Sequence, residues 1–388
     1  VQTSIQQQLT EALNQRRSEQ RLRQLNTVNA ISASEVAGTY AGRRQTWINF
    51  SSNDYLGLSH HPDVVAAMAS AGQAGSKASP LVTGYSSIHH DLALQLADYL
   101  QRDRVLLFSS AFAANAGALT TLGRHYQHLW LDRLSHASLL NGARHCGAPW
   151  RRFGHQDFDS LQQRLGSGSQ LVIAESIYSM DGDELDHFGW RRIVGADQVD
   201  GYLDDAHGFG VLGAEGAGAC ELYSQQQLSF VSLAFGKATG VAGGALAVPE
   251  SVADYLINFC PEYIYSTAMP LAQASAIKAS VTLMQSAEGR LRRALLRERI
   301  EQFKSGCQAL GLPITASNSA IQGVIVGADR KALELSEALR AAGIWCSAIR
   351  PPTVPEGSAR LRITLTTAHS ESQVAHLINA LDQAREKL

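Results

Sequence analysis

Two short stretches hold the residues best suited to chemistry. Ser232-Leu-Ala-Phe-Gly-Lys-Ala-Thr-Gly240 plants one lysine between two glycines after an apolar run. Lysine is among the residues least often buried without a partner. Leu203-Asp-Asp-Ala-His-Gly208 brings two carboxylates and an imidazole to the carboxyl end of an expected strand. Taken singly, these residues read more simply as a helix cap and a hydrogen-bonded histidine. Together, Asp204, His207 and Lys237 suit a cofactor that needs one amine and one carboxylate. Pyridoxal phosphate (PLP) has that need. Its aldehyde condenses with a lysine amine, and a buried carboxylate favours the protonated ring nitrogen that makes the ring an electron sink. Its phosphate wants backbone N–H groups at a helix start. Ser109-Ser-Ala-Phe-Ala-Ala-Asn115 follows an expected strand and opens a helix of small residues, so Ser110, Ala111 and Phe112 can supply them. The glycines flanking Lys237 allow a close backbone approach.

Two other motifs point elsewhere and are set aside. Gly208-Phe-Gly-Val-Leu-Gly213 matches G-x-G-x-x-G, but Ala-Glu-Gly-Ala-Gly follows it, a poor start for the helix that a dinucleotide site requires. Gly236-Lys237 lacks the glycine of a P-loop five residues earlier, where Val231 stands, and Ala238 fills the Ser/Thr slot.

The elements that must position these residues follow from the apolar pattern. Arg104–Phe108, His128–Leu131, Leu171–Ala174, Gly201–Asp204, Phe230–Ala234 and Gly244–Val248 are short, apolar and separated by helix-length connections. That texture predicts a mostly parallel sheet covered by helices on both faces, with ligands at the carboxyl ends of its strands. Ser4–Leu25 reads as an amphipathic helix, Gly38–Arg44 as a turn region and Trp47–Phe50 as a strand. Helices are expected over Leu271–Gln285, Gly289–Leu310, Lys331–Ala342 (stopped by Gly343) and Gln373–Lys387. Ile321–Val326 and Leu361–Leu365 are expected strands of a smaller α/β unit.

The chain has 388 residues, which favours two domains, and its net charge of −2 offers no footprint for nucleic acid or an anionic membrane. Five scattered cysteines without C-x-x-C spacing suit reduced thiols in a cytoplasmic protein. The 13 histidines form no H-E-x-x-H and sit near no cysteine pair, so no metal site is expected. No stretch approaches the roughly 20 apolar residues of a membrane span, and the polar start does not read as a signal peptide.

The order of six segments resembles the α-oxoamine synthases, a fold-type I PLP-dependent family that joins an amino acid to an acyl thioester and releases carbon dioxide. They are Asn49-Phe-Ser-Ser-Asn-Asp-Tyr-Leu-Gly-Leu58, Asp132-Arg-Leu-Ser-His-Ala-Ser138, Ser179-Met-Asp-Gly-Asp183, Asp204-Asp-Ala-His207, Phe235-Gly-Lys237 and Ala348-Ile-Arg-Pro-Pro-Thr-Val-Pro355. The resemblance implies an α/β fold with a large, mostly parallel sheet domain over residues 46–275. An N-terminal helical segment (1–45) would precede it and a smaller C-terminal α/β domain (276–388) would follow. It implies that Lys237 carries the cofactor, Asp204 pairs with the pyridine nitrogen and His136 stacks on the ring. His207 and Ser179 would lie near the ring hydroxyl, and Ser110, Ala111 and Phe112 at the phosphate. Arg350 would bind the amino-acid carboxylate, a task suited to a bidentate guanidinium. Asn53 would lie near the substrate, and Arg23 would help to hold the acyl group. The family's site forms between two subunits of a homodimer, with Ser266 and Thr267 reaching the partner's phosphate.

Asn53–Leu58 and the Arg350 segment are most similar to the branch that condenses L-alanine with pimeloyl-CoA or pimeloyl-acyl carrier protein in biotin biosynthesis. Sister activities stay open: 2-amino-3-ketobutyrate ligase, 5-aminolevulinate synthase, serine palmitoyltransferase, an amino-ketone signal synthase, or a catalytically weak PLP-binding relative. Three departures bear on the last. Ala234 stands where the family usually has threonine or serine, Ala111 replaces a glycine, and Ser76–Pro80 replaces a glycine- and serine-rich loop. One lost phosphate hydrogen bond costs roughly 1.5–3 kcal/mol if nothing replaces it.

Overall fold

The six apolar runs all become strands of one sheet in a computed structural model that describes residues 3–40, 42–196 and 198–387. The chain divides into two compact units. One holds residues 53–179 and 183–297, and the other residues 1–52, 180–182 and 298–388.

The first unit is built on a seven-stranded sheet. Its spatial order is Arg104–Phe108, Gly244–Val248, Phe230–Ala234, Val199–Asp204, Gln170–Glu175, His128–Asp132 and Trp150–Phe153. Gly244–Val248 runs antiparallel to both neighbours, and the other pairings are parallel. Gln170–Glu175, Phe230–Ala234 and Gly244–Val248 are buried at every position, which explains their unbroken apolar runs. One face packs on the helices Ala111–Leu122, Ala137–His145 and Glu250–Phe259 through Phe108, Leu119, Leu131, Leu140, Tyr202 and Leu256. The helix Leu271–Gln285 packs against Pro62–Ala69 and Ser87–Leu100.

The second unit has two small sheets. Val28–Ala30, Glu35–Tyr40, Arg43–Asn49 and Ile344–Trp345 form one. Ile321–Gly327, Ala359–Thr364 and Ser347–Ile349 form the other, which is antiparallel. Its helices include Ser4–Ser18, Asp329–Ala341 and Glu371–Gln383.

The structure changes several sequence expectations and adds strands that the apolar pattern did not show. The first helix ends at Ser18, because Gln20 adopts φ 56°, and none of its residues is buried. Gly38–Arg44 is mostly a hairpin: strands run to Tyr40 and from Arg43, and Ala41 lies outside the described residues. Trp150–Phe153 is an extra edge strand, concealed by Arg151 and Arg152. Gly208–Gly213 opens no helix and forms turns, as its composition predicts.

Candidate active site

The parallel strands deliver their polar residues to one end of the sheet. Asp204 ends Val199–Asp204, Glu175 ends Gln170–Glu175, and Lys237 lies just beyond Phe230–Ala234. His136 caps the helix Ala137–His145 after the strand His128–Asp132. Lys237, Asp204, His136, His207, Ala111 and Phe112 line one pocket with Asn115, Ser138, Glu175 and Ala206.

At one end of this pocket, Ser110 caps the helix Ala111–Leu122, and its Oγ accepts from Ala113 N at 3.1 Å. The first-turn N–H groups of a helix have no partner within it and form a ready anion cradle. Gly244 fixes this corner: a Cβ there would stand 2.2 Å from Ala111 N. Only glycine lets the strand pass so close beneath the helix start. Ala234 pairs with Gly244 in register, so the departure noted in the sequence sits beside the cradle.

Asp204, 4% exposed, accepts from Ala206 N at 3.0 Å through Oδ1 and from Asn115 Nδ2 at 2.7 Å through Oδ2. His136 Nδ1 lies 2.7 Å from Ser138 Oγ, and its backbone N–H donates to Glu175 Oε1 at 2.6 Å. Burial holds the His136 imidazole below its ordinary pKa, with Asp204 opposing and Lys237 assisting. Burial, with Asp204 nearby, pushes the Glu175 carboxyl well above the usual range. His207 Nδ1 lies 2.6 Å from Tyr55 Oη, and Tyr55 Oη is 3.5 Å from Asn53 Oδ1.

Ser179 is half-buried in the turn after Gln170–Glu175 and is not among the pocket's lining residues. Ser266 and Thr267 lie in the connection before Leu271–Gln285, beside Tyr265, which is 82% exposed. In the other unit, Arg350 donates to Gln20 O, Arg23 Nη2 donates to Thr353 Oγ1 at 3.0 Å, and the charges of Arg21 and Arg23 act on Arg350. Asp329 also acts on Arg350, and Arg21 is itself paired with Asp329 and Glu356, so the two arginines singled out for substrate lie in a corner of mixed charge.

Asn115, Ser138, Glu175 and Tyr55 were missed as site residues. Asn115 and Ser138 lie in stretches already marked for chemistry, at helical positions that face the strand ends. Glu175 lies one residue past the apolar run Leu171–Ala174.

The donor set fits PLP: an amine, a carboxylate held by an amide, an imidazole and a helix start crossed by a glycine line the same pocket. Among the described residues, no cluster of three or more His, Cys, Asp or Glu could hold a metal.

The family model described as aminotransferase class I and II matches residues 45–381. The 8-amino-7-oxononanoate synthase of Klebsiella pneumoniae (strain 342) is 45% identical over 386 residues, covering 97% of this chain and 98% of the relative. That of Cellvibrio japonicus is 43% identical, covering 98% and 96%. The crystal structure of the Francisella tularensis 8-amino-7-oxononanoate synthase superposes with a TM-score of 0.76 at 26% identity, over 88% of this chain and 98% of that one. Serine palmitoyltransferase from S. paucimobilis reaches a TM-score of 0.88 at 24% identity, over 98% and 97%, which shows the shared fold.

Proposed function

The chain belongs to the 8-amino-7-oxononanoate synthases, PLP-dependent acyltransferases of the class I and II aminotransferase group, and from that membership we propose how its residues divide the work. The reaction is the condensation of L-alanine with a pimeloyl thioester, with loss of carbon dioxide. PLP, when bound, supplies an electron sink for charge developing at the amino-acid Cα.

Lys237 Nζ would hold the cofactor, and its amine would serve as the base for the Cα proton of L-alanine and as the acid that returns one. Asp204, oriented by Asn115 and Ala206, would pair with the pyridine nitrogen, and His136 would lie against the ring. His207, braced by Tyr55, and Ser179 would serve the ring hydroxyl. The N–H groups at Ala111 and Phe112, with Ser110 as cap, would hold the phosphate. Arg350 binds the substrate carboxylate, Arg23 assists with the acyl group, and Asn53 borders the substrate.

The assembly in this reading is a homodimer in the cytoplasm. The Tyr265-Ser266-Thr267 segment, exposed at Tyr265 and Thr267 and half-buried at Ser266, fits a contribution to the partner's phosphate, and the exposed Leu81 and Tyr85 border a second pocket with Leu94, Ile257 and Tyr263. All five cysteines are buried and unpaired, which suits a reducing compartment. No helix of the described residues is long and apolar enough to cross a membrane.

The observation that carries the reading is the convergence of Lys237, Asp204 and His136 on one pocket. Borohydride treatment of PLP-loaded protein, followed by peptide mass spectrometry, should place the reduced pyridoxyl mass on Lys237. Its appearance on another lysine would overturn the assignment.

A further inference from the structure

Asn115 sits in the second turn of the helix Ala111–Leu122 and is 1% exposed. A short polar side chain inside a helix competes with the backbone, so its burial there needs a reason. Both amide N–H groups and the carbonyl are engaged. Nδ2 donates to Asp204 Oδ2 at 2.7 Å and to Ser138 Oγ at 3.0 Å, and Oδ1 accepts from Tyr202 Oη at 2.8 Å.

The chemistry of the partners fixes the direction of this chain. A carboxylate only accepts, so the amide nitrogen must face Asp204. Its carbonyl then receives the Tyr202 proton. Ser138 Oγ takes the second amide N–H, which leaves the serine proton for His136 Nδ1 at 2.7 Å. The Ser138 backbone N–H also points at Nδ1, at 3.2 Å. Two donors converge on Nδ1, so that nitrogen carries no proton. Burial lowers the His136 pKa, which agrees with a neutral ring.

We infer that Asn115 is a positioning residue: one buried amide orients the Asp204 carboxylate and, through Ser138, fixes His136 as the neutral tautomer protonated at Nε2. The catalytic consequence rests on the proposed roles of Asp204 and His136; the tautomer does not.

The test is a long-range proton–nitrogen correlation spectrum of PLP-loaded protein labelled with 15N-histidine, near neutral pH. The His136 signals are identified by their loss in His136→Gln. The wild type should show Nδ1 without a proton and Nε2 with one. Asn115→Ala should move the pattern towards mixed tautomers and weaken PLP binding about ten-fold, the scale of one hydrogen bond to a charged group. Ser138→Ala removes a single hydroxyl and should move the pattern the same way, so it decides the matter if Asn115→Ala fails to fold. A wild-type ring protonated at Nδ1, or a pattern unchanged in both variants, would overturn the inference. Absence of turnover with L-alanine would count against the proposed function while leaving the tautomer result intact.

Discussion

His155 offers a quantitative test of the scaffold behind the pocket. Its Nδ1 lies 3.0 Å from Asp132 Oδ1 and its Nε2 2.7 Å from Asp183 Oδ2. Asp132 is fully buried and also caps the turn to His136 by accepting from Leu134 N at 2.8 Å. Burial opposes charge on His155, but the hydrogen bonds to both carboxylates prevail and raise its pKa from 6.5 to about 10. The perturbation is His155→Gln, which keeps a polar side chain but cannot carry the charge. A folded pKa raised above the unfolded one stabilises fully below about pH 6.5, and the gain fades as pH climbs towards 10. At about 1.4 kcal/mol per tenfold change, the upper bound is roughly 4–5 kcal/mol. Solvent screening of the partly exposed ring reduces this to roughly 2 kcal/mol. At about 2–4 °C per kcal/mol for long domains, the variant should melt roughly 4–8 °C below wild type at pH 6.5. The gap should close by about pH 10. The assay is the thermal midpoint of both PLP-loaded proteins across that range. A gap that stays constant with pH would refute the charged clamp.

Other outcomes follow from the same geometry. Gly244→Ala should shift the start of the helix Ala111–Leu122, because its Cβ would stand 2.2 Å from Ala111 N; PLP binding measured by equilibrium dialysis should weaken more than ten-fold, by the arithmetic of about 1.4 kcal/mol per decade. Ala234→Thr, beside Gly244, should instead tighten PLP binding by about ten-fold, the scale of one hydrogen bond to a charged group, and unchanged affinity would remove Ala234 from the phosphate site. Asp204→Asn should lower kcat by at least about 100-fold while the fold persists by circular dichroism. Arg350→Lys should raise the KM for L-alanine with a smaller change in kcat, since lysine lacks the bidentate fork.

The sheet was legible because its strands are buried on both faces. Phe230–Ala234 and Gly244–Val248 keep their expected bounds, as continuous apolar runs must. Trp150–Phe153 was not legible, since an edge strand buries little and its two central arginines break the pattern. The first helix was overextended because spacing alone cannot register the left-handed turn at Gln20. Lys237 and Asp204 stood out by residue type at expected strand ends, whereas His136 was singled out only through the resemblance of Asp132–Ser138 to the family. The network that orients two of them could not. Asn115 touches Ser138, Tyr202 and Asp204, residues 23, 87 and 89 positions away, and only the folded sheet brings them together.

The most direct measurement is carbon dioxide release from PLP-loaded protein supplied with a pimeloyl thioester and, separately, L-alanine, glycine or L-serine. Release should require L-alanine and vanish in Lys237→Ala. Release with glycine or serine in preference to alanine, or undiminished release from Lys237→Ala, would contradict the account.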